Sequence, residues 1–127
     1  MTISATMPIL IVDDYPTMLQ IIRRLLREAG FENVDAVSSG GEALRKLRER
    51  EYGMVISDWH MKTMTGLSLL KEIRADKRLK ELPFIMITAE STPGLVTAAK
   101  DAGVSNYIVK PFTAATLRTR IISATAA

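Results

Sequence analysis

Short apolar runs recur along this chain, and each gives way to apolar positions spaced three and four apart. "PILIVDD" (residues 8–14) is followed by Met18, Ile21, Ile22, Leu25 and Leu26, one face of a helix that stops at Gly30. "VDAV" (34–37) precedes a helical pattern through Ala43, Leu44 and Leu47, and "MVIS" (54–57) precedes one through Leu67, Leu70 and Ile73. "FIMIT" (84–88) leads to Val96, Ala99 and Gly103, and "YIVK" (107–110) leads to Leu117, Ile121 and Ile122. The pattern predicts five strand–helix units.

Strands that are apolar throughout, each separated by a helix, predict a parallel sheet covered on both faces. The fold class is therefore α/β, doubly wound; in the flavodoxin-like (βα)5 arrangement of that class the strand order would be 2-1-3-4-5. Two helix starts are marked: Thr92 before Pro93 reads as a cap and first helical position, and Asp14 with Pro16 reads the same way for the first helix. No linker, repeat or low-complexity stretch interrupts the alternation. Residues 1–7 and about 124–127 are expected to be flexible, "SATAA" fraying at the end.

The chain's 127 residues amount to one domain with a single core, and a separate output domain is not expected. Hydrophobic residues at 47% and charged residues at 24% point away from both disorder and a membrane span. "MTISATMP" lacks the basic and apolar regions of a signal peptide, so a cytoplasmic protein is expected. The absence of cysteine removes disulfides, thiolate nucleophiles and cysteine zinc sites, and a single histidine, His60, removes His-rich metal centres. A net charge of +3 raises the question of nucleic acid. However, Arg23, Arg24 and Arg27 fall on one helix and Arg45, Lys46, Arg48 and Arg50 on another, with glutamates nearby, which reads as solvated helix faces.

Placed on this scheme, the polar residues converge. Asp13 and Asp14 follow strand one, Asp58 follows strand three, Thr88 ends strand four and Lys110 ends strand five. All lie at the carboxyl ends of strands, the edge that carries the ligand crevice of an open α/β sheet, with the switch point between strands one and three. Taken singly, Asp14 reads equally as a helix cap, Asp58 as a turn residue, Thr88 as a strand former and Lys110 as a surface lysine. Their convergence from four strands favours a site. Three neighbouring carboxylates repel one another unless a cation joins them, and an oxygen-only donor set suits Mg2+, with Mn2+ as a substitute. A carboxylate beside Mg2+ can attack phosphorus, with an ammonium such as Lys110 and a hydroxyl such as Thr88 neutralising the phosphoryl oxygens.

With "ILIVDD", "ISDWHM", "MITAE" and "YIVKPFTAATL" in view, the chain resembles the receiver domain of two-component response regulators over nearly its whole length. The last motif is similar to the single-domain chemotaxis branch. The resemblance implies that Asp58 is the phosphoacceptor and that Asp13 and Asp14, with Asp58 and the backbone carbonyl of His60, hold Mg2+. It implies that Thr88, Lys110 and Ala89 bind the phosphoryl group, that Tyr107 is an aromatic switch turning inward as Thr88 is drawn to the phosphate, and that the Lys110–Pro111 peptide is cis. The output surface would lie on helix four, strand five and helix five. Two departures stand out: Lys62 occupies the position, four after the phosphoacceptor, where the family commonly has proline, and His60 replaces an asparagine common in the chemotaxis proteins. His60 and Glu90 would border the acyl phosphate and tune its loss. Trp59 reads as packing or partner contact, the methionines as gap-filling core with Met61 and Met64 in the active-site loop, and Tyr15 as a residue bordering the site.

The implied function is a stand-alone phosphorylation switch, not an enzyme beyond self-catalysed phosphoryl transfer and autodephosphorylation. Its expected partners are a histidine kinase or phosphotransfer protein, a flagellar motor switch protein or other signalling target, and a phosphatase, with no nucleic acid, no membrane and a monomeric state. Alternatives within the class are a phosphate sink or a phosphorelay intermediate. From other classes come a Mg2+-dependent phosphohydrolase, which lacks an evident general acid two residues after Asp58, and a basic nucleic-acid-binding module, which lacks a helix-turn-helix or stacking platform.

Overall fold

In the computed structural model, which describes residues 6–89 and 93–125, the alternation read from the sequence is complete. β1 (Ile9–Val12) leads to α1 (Pro16–Glu28), β2 (Val34–Val37) to α2 (Gly40–Glu49), β3 (Met54–Asp58) to α3 (Gly66–Ala75), β4 (Phe84–Thr88) to α4 (Pro93–Asp101) and β5 (Asn106–Val109) to α5 (Ala114–Thr125). The five strands form one parallel sheet in the order β2-β1-β3-β4-β5.

The sequence pattern and the burial agree in physical terms. The central strands β1, β3 and β4 are buried at every position, because helices cover both of their faces. The edge strands are less buried: β2 carries Asp35 and is half-buried until Val37, and β5 ends exposed at Val109. Alternate residues of each strand face two separate cores. Leu10, Val12, Val55, Phe84 and Met86 pack with α2, α3 and α4, while Ile9, Ile11, Ile56, Ile85 and Ile108 pack with α1 and α5.

Capping explains several helix boundaries. Ser39 and Thr65 accept the N–H groups of Glu42 and Ser68 at the starts of α2 and α3, and Gly30, at φ 101°, takes the left-handed turn just after α1. The start of α1 differs from expectation. Tyr15, not Asp14, holds the cap position and gives no side-chain hydrogen bond, with Pro16 opening the helix as expected. The acids before it accept other backbone N–H groups, those of Tyr15 and Lys62. Thr92 and Glu90 lie outside the described residues, so the expected cap at Thr92 does too. At the far end α5 continues through Thr125, whose hydroxyl donates to Ile121 and Ile122, so Ala124 and Thr125 are helical where fraying was expected. Met7 likewise packs on the core and over Gly53.

Several cations are occupied within the fold. Arg50 lies just past α2 instead of within it, paired with Asp35 at 2.9 Å and stacked over Tyr52. Arg74 donates to the carbonyls of Leu82 and Gly103, and Arg118 to that of Ala29. Arg45 pairs with Glu49 one turn on. Among the described residues no helix is long and apolar enough to cross a membrane.

Candidate functional site

The carboxyl ends of β1, β3, β4 and β5 deliver the polar groups to one edge. Asp13 follows β1 and is fully buried, Asp58 is the last residue of β3, Thr88 is the last of β4, and Lys110 follows β5. The strand register places Asp58 beside Ile87 and Thr88 beside Val109. Lys110 thereby reaches across the end of β4. Its Nζ lies 2.9 Å from Asp58 Oδ1, and its backbone N–H donates to Thr88 O at 2.8 Å. The Lys110–Pro111 peptide is cis.

The two acids after β1 share one arrangement. Asp13 Oδ1 accepts the Tyr15 N–H at 2.9 Å, and Asp14 Oδ2 accepts the Lys62 N–H at 3.0 Å. The second oxygen of each, Asp13 Oδ2 and Asp14 Oδ1, is buried without a hydrogen-bond partner. Buried carboxylate oxygens without partners are costly. Burial pushes the Asp13 carboxyl above its ordinary range and the neighbouring charges of Asp58 and Asp14 push it further, while the Tyr15 N–H and the Lys110 ammonium pull it back.

A divalent cation is what such a pair of orphaned oxygens would accept. Among the described residues no three His, Cys, Asp or Glu side chains close into a cage that could hold a metal ion by themselves. The unpartnered oxygens of Asp13 and Asp14 head the donor set, with Asp58, backbone oxygen and water left to complete it. That fits Mg2+, which is held by one or two carboxylates and keeps several waters, and it does not fit a metal needing an all-protein cage. His60 is exposed on the loop two residues after Asp58, so its imidazole does not join the acids.

The loop from Trp59 to Thr65 is fastened below the site. The Trp59 N–H donates to Ile87 O, and the Gly66 N–H donates to Trp59 O at 2.9 Å. Gly66 approaches so closely that a Cβ would collide with the Asp58 carbonyl oxygen. Trp59 turns inward. With Thr88, Tyr107, Met86, Leu95 and Val96 it lines an apolar cleft of about 10 Å3, the room of a single water and without the polar partners a water needs. Tyr107 is half-buried against this cleft, beside Thr88. Ala89, just past β4, is exposed, as is Tyr15, at 71%. Met61 is buried, while Met64 packs against Gly40.

Sequence reasoning placed Asp13, Asp14, Asp58, Thr88 and Lys110 at one edge, and the structure brings them there. It missed the Lys62 N–H and left open where Trp59 points. The only signal for the first was the absence of proline at residue 62.

A 2-1-3-4-5 sheet with two acids after β1, an aspartate ending β3 and a lysine after β5 defines a receiver-type domain, and the comparisons agree. Residues 9–122 match the response regulator receiver domain family, and the chain belongs to it. It is 48% identical over 119 residues to chemotaxis protein CheY-3 of Vibrio cholerae, covering 94% of this chain and 92% of that protein. The crystal structure of Vibrio cholerae CheY4 superposes with a TM-score of 0.85 at 32% identity, covering 92% of this chain and 97% of the other. The receiver domain of a sensor histidine kinase from Pseudomonas aeruginosa, a structure with magnesium ion coordinated in the active site cleft, superposes at 0.84 with 30% identity, covering 95% and 99%. The chain is thus the receiver domain of a CheY-like response regulator, an arrangement consistent with phosphoryl acceptance in two-component signalling.

Proposed function

We propose that the protein accepts a phosphoryl group on Asp58 from the phosphohistidine of a kinase or phosphotransfer protein, and that the acyl phosphate reshapes the α4–β5–α5 surface for a target in chemotaxis. The observation that supports this most is the convergence of a lysine-paired aspartate, Asp58, with two acids whose second oxygens are buried and unpartnered. An Asp58 carboxylate oxygen attacks phosphorus, and the bond from phosphorus to the donor nitrogen breaks as that nitrogen keeps the electron pair. When bound, Mg2+ supplies charge neutralisation for the phosphoryl oxygens. Asp13, Asp14 and Asp58 would hold it together with the His60 carbonyl. Lys110 stands beside the receiving oxygens, and Thr88 and Ala89 bind the transferred group from the end of β4.

The readout follows from packing. Thr88, drawn toward the phosphoryl group, withdraws from the apolar cleft it shares with Trp59 and Tyr107. The half-buried Tyr107 ring then moves in, a population shift between two surfaces. The names of the chemotaxis relatives support motility as the setting, and the flagellar motor switch protein is the target we propose. Trp59 fluorescence during addition of Mg2+ and then acetyl phosphate tests this reading. The signal should change with phosphodonor only when Mg2+ is present, reverse as donor is exhausted, and be absent in Asp58→Asn. A donor response that survives in Asp58→Asn would count against it.

A further inference from the structure

The Lys62 N–H, on the β3–α3 loop, donates to Asp14 Oδ2 at 3.0 Å from 48 positions away in the chain. We infer that this backbone N–H is a positioning group for the cation site, orienting the Asp14 carboxylate before a cation arrives.

The two acids are arranged alike. Each carboxylate has one oxygen fixed by a backbone N–H, Tyr15 for Asp13 and Lys62 for Asp14, and the other buried without a partner. A carboxylate held at one oxygen cannot rotate freely, so its second oxygen is presented in a fixed direction. Hydrogen bonds of this kind to a metal ligand set its orientation and raise its affinity for the ion. The donor for Asp13 comes from its own turn, two residues on. The donor for Asp14 comes from the loop that also carries His60, so the loop and the acid pair are joined before any ion binds.

Residue identity matters here in an unusual way. The Lys62 side chain is exposed, and it is the backbone N–H that reaches Asp14. Any residue but proline supplies that donor. Proline, the residue common at this place in the family pattern, would leave Asp14 Oδ2 to solvent. Lysine at position 62 is therefore read as the presence of an N–H, and the ammonium is incidental to this role.

This inference rests on the Mg2+-dependent reading above, and its test separates the two. Mg2+ dissociation constants are measured from Trp59 fluorescence for the wild type, Lys62→Ala and Lys62→Pro, and amide hydrogen exchange at residue 62 is followed by NMR without Mg2+ in the wild type and Asp14→Ala. Lys62→Ala should bind Mg2+ as the wild type does, and Lys62→Pro should bind on the order of tenfold more weakly. The residue 62 amide should be protected in the metal-free wild type and lose protection in Asp14→Ala, a readout that does not depend on the proline variant folding. Equal Mg2+ affinity in all three proteins, or an amide that exchanges as freely as its exposed neighbours, would overturn the inference while leaving the proposed function standing. A wild type that does not bind Mg2+ would overturn both.

Discussion

Lys110 Nζ sits 2.9 Å from Asp58 Oδ1 although the strands that carry them are not neighbours: β4 runs between β3 and β5, and the pair closes over its end at Thr88. One lysine thus ties three strand ends together, through its ammonium to Asp58 and through its N–H to Thr88. A change at Asp58 is therefore linked through Lys110 to the end of β4 at Thr88.

Replacing that ammonium should slow phosphorylation more than it weakens the fold. Lys110→Ala removes a positioned cation from the transferring group, which typically costs on the order of 10²–10³ in rate. Lys110→Arg keeps the charge but not the compact geometry, so it should recover only part of the loss. Rates of label incorporation from acetyl phosphate, read alongside urea melts, check both variants. Phosphorylation of Lys110→Ala at the wild-type rate would remove Lys110 from the reaction.

Asp13 makes the metal-free protein pH-sensitive in a definite direction. Its carboxyl is pushed above the ordinary range, mainly by burial, so the folded state binds the proton more tightly than the unfolded chain does. The stabilisation from protonating Asp13 is complete below its unfolded value of 3.8 and is lost as pH rises through the raised folded value. At neutral pH the site is therefore a cost that Asp13→Asn should relieve, stabilising the metal-free protein by about 1–3 kcal/mol. Thermal melts of the two proteins with and without Mg2+ should show that Mg2+ stabilises the wild type strongly and Asp13→Asn little.

Thr88 is expected to matter more for coupling than for the transfer itself. Thr88→Ala should still be phosphorylated, but target binding should lose most of its dependence on phosphodonor, a coupling of about 1–3 kcal/mol in allosteric proteins. Affinity for the motor switch protein with and without acetyl phosphate measures it. A variant whose binding is as phosphate-dependent as the wild type would refute the role.

Far from the site, Arg74 joins α3 to the chain entering β4 and to the turn after α4, through the carbonyls of Leu82 and Gly103 at 2.7 and 2.9 Å. Arg74→Met leaves both carbonyls without this donor and should cost about 2–4 kcal/mol in chemical denaturation, with the phosphorylation rate unchanged.

The sheet was legible because buried parallel strands are apolar throughout and their helices repeat at a fixed spacing. Ile9–Val12, Met54–Asp58 and Phe84–Thr88 follow the runs in the sequence to within a residue. The conjunction of Asp13, Asp14, Asp58 and Lys110 was legible for a related reason: in this topology every strand's carboxyl end opens on the same edge. Asp14 was misread as a helix cap because a short acidic side chain before Pro16 satisfies that local rule, whereas its partner, the Lys62 N–H, comes from the loop after the neighbouring strand β3, 48 positions away in the chain. The inward turn of Trp59 was equally hidden. It depends on the loop being fastened at Gly66, a contact between backbone atoms that no side-chain pattern reports.

The central claim is that Asp58 receives the phosphoryl group in a reaction that needs the acid pair and Mg2+. Intact-mass analysis after incubation with acetyl phosphate, with and without Mg2+, followed by reduction of the acyl phosphate and peptide mapping, tests it most directly. The expected result is the mass of one phosphoryl group, found only with Mg2+, mapped to Asp58 and missing from Asp58→Asn. An unmodified protein, or a phosphoryl group mapped to another residue, would contradict the account.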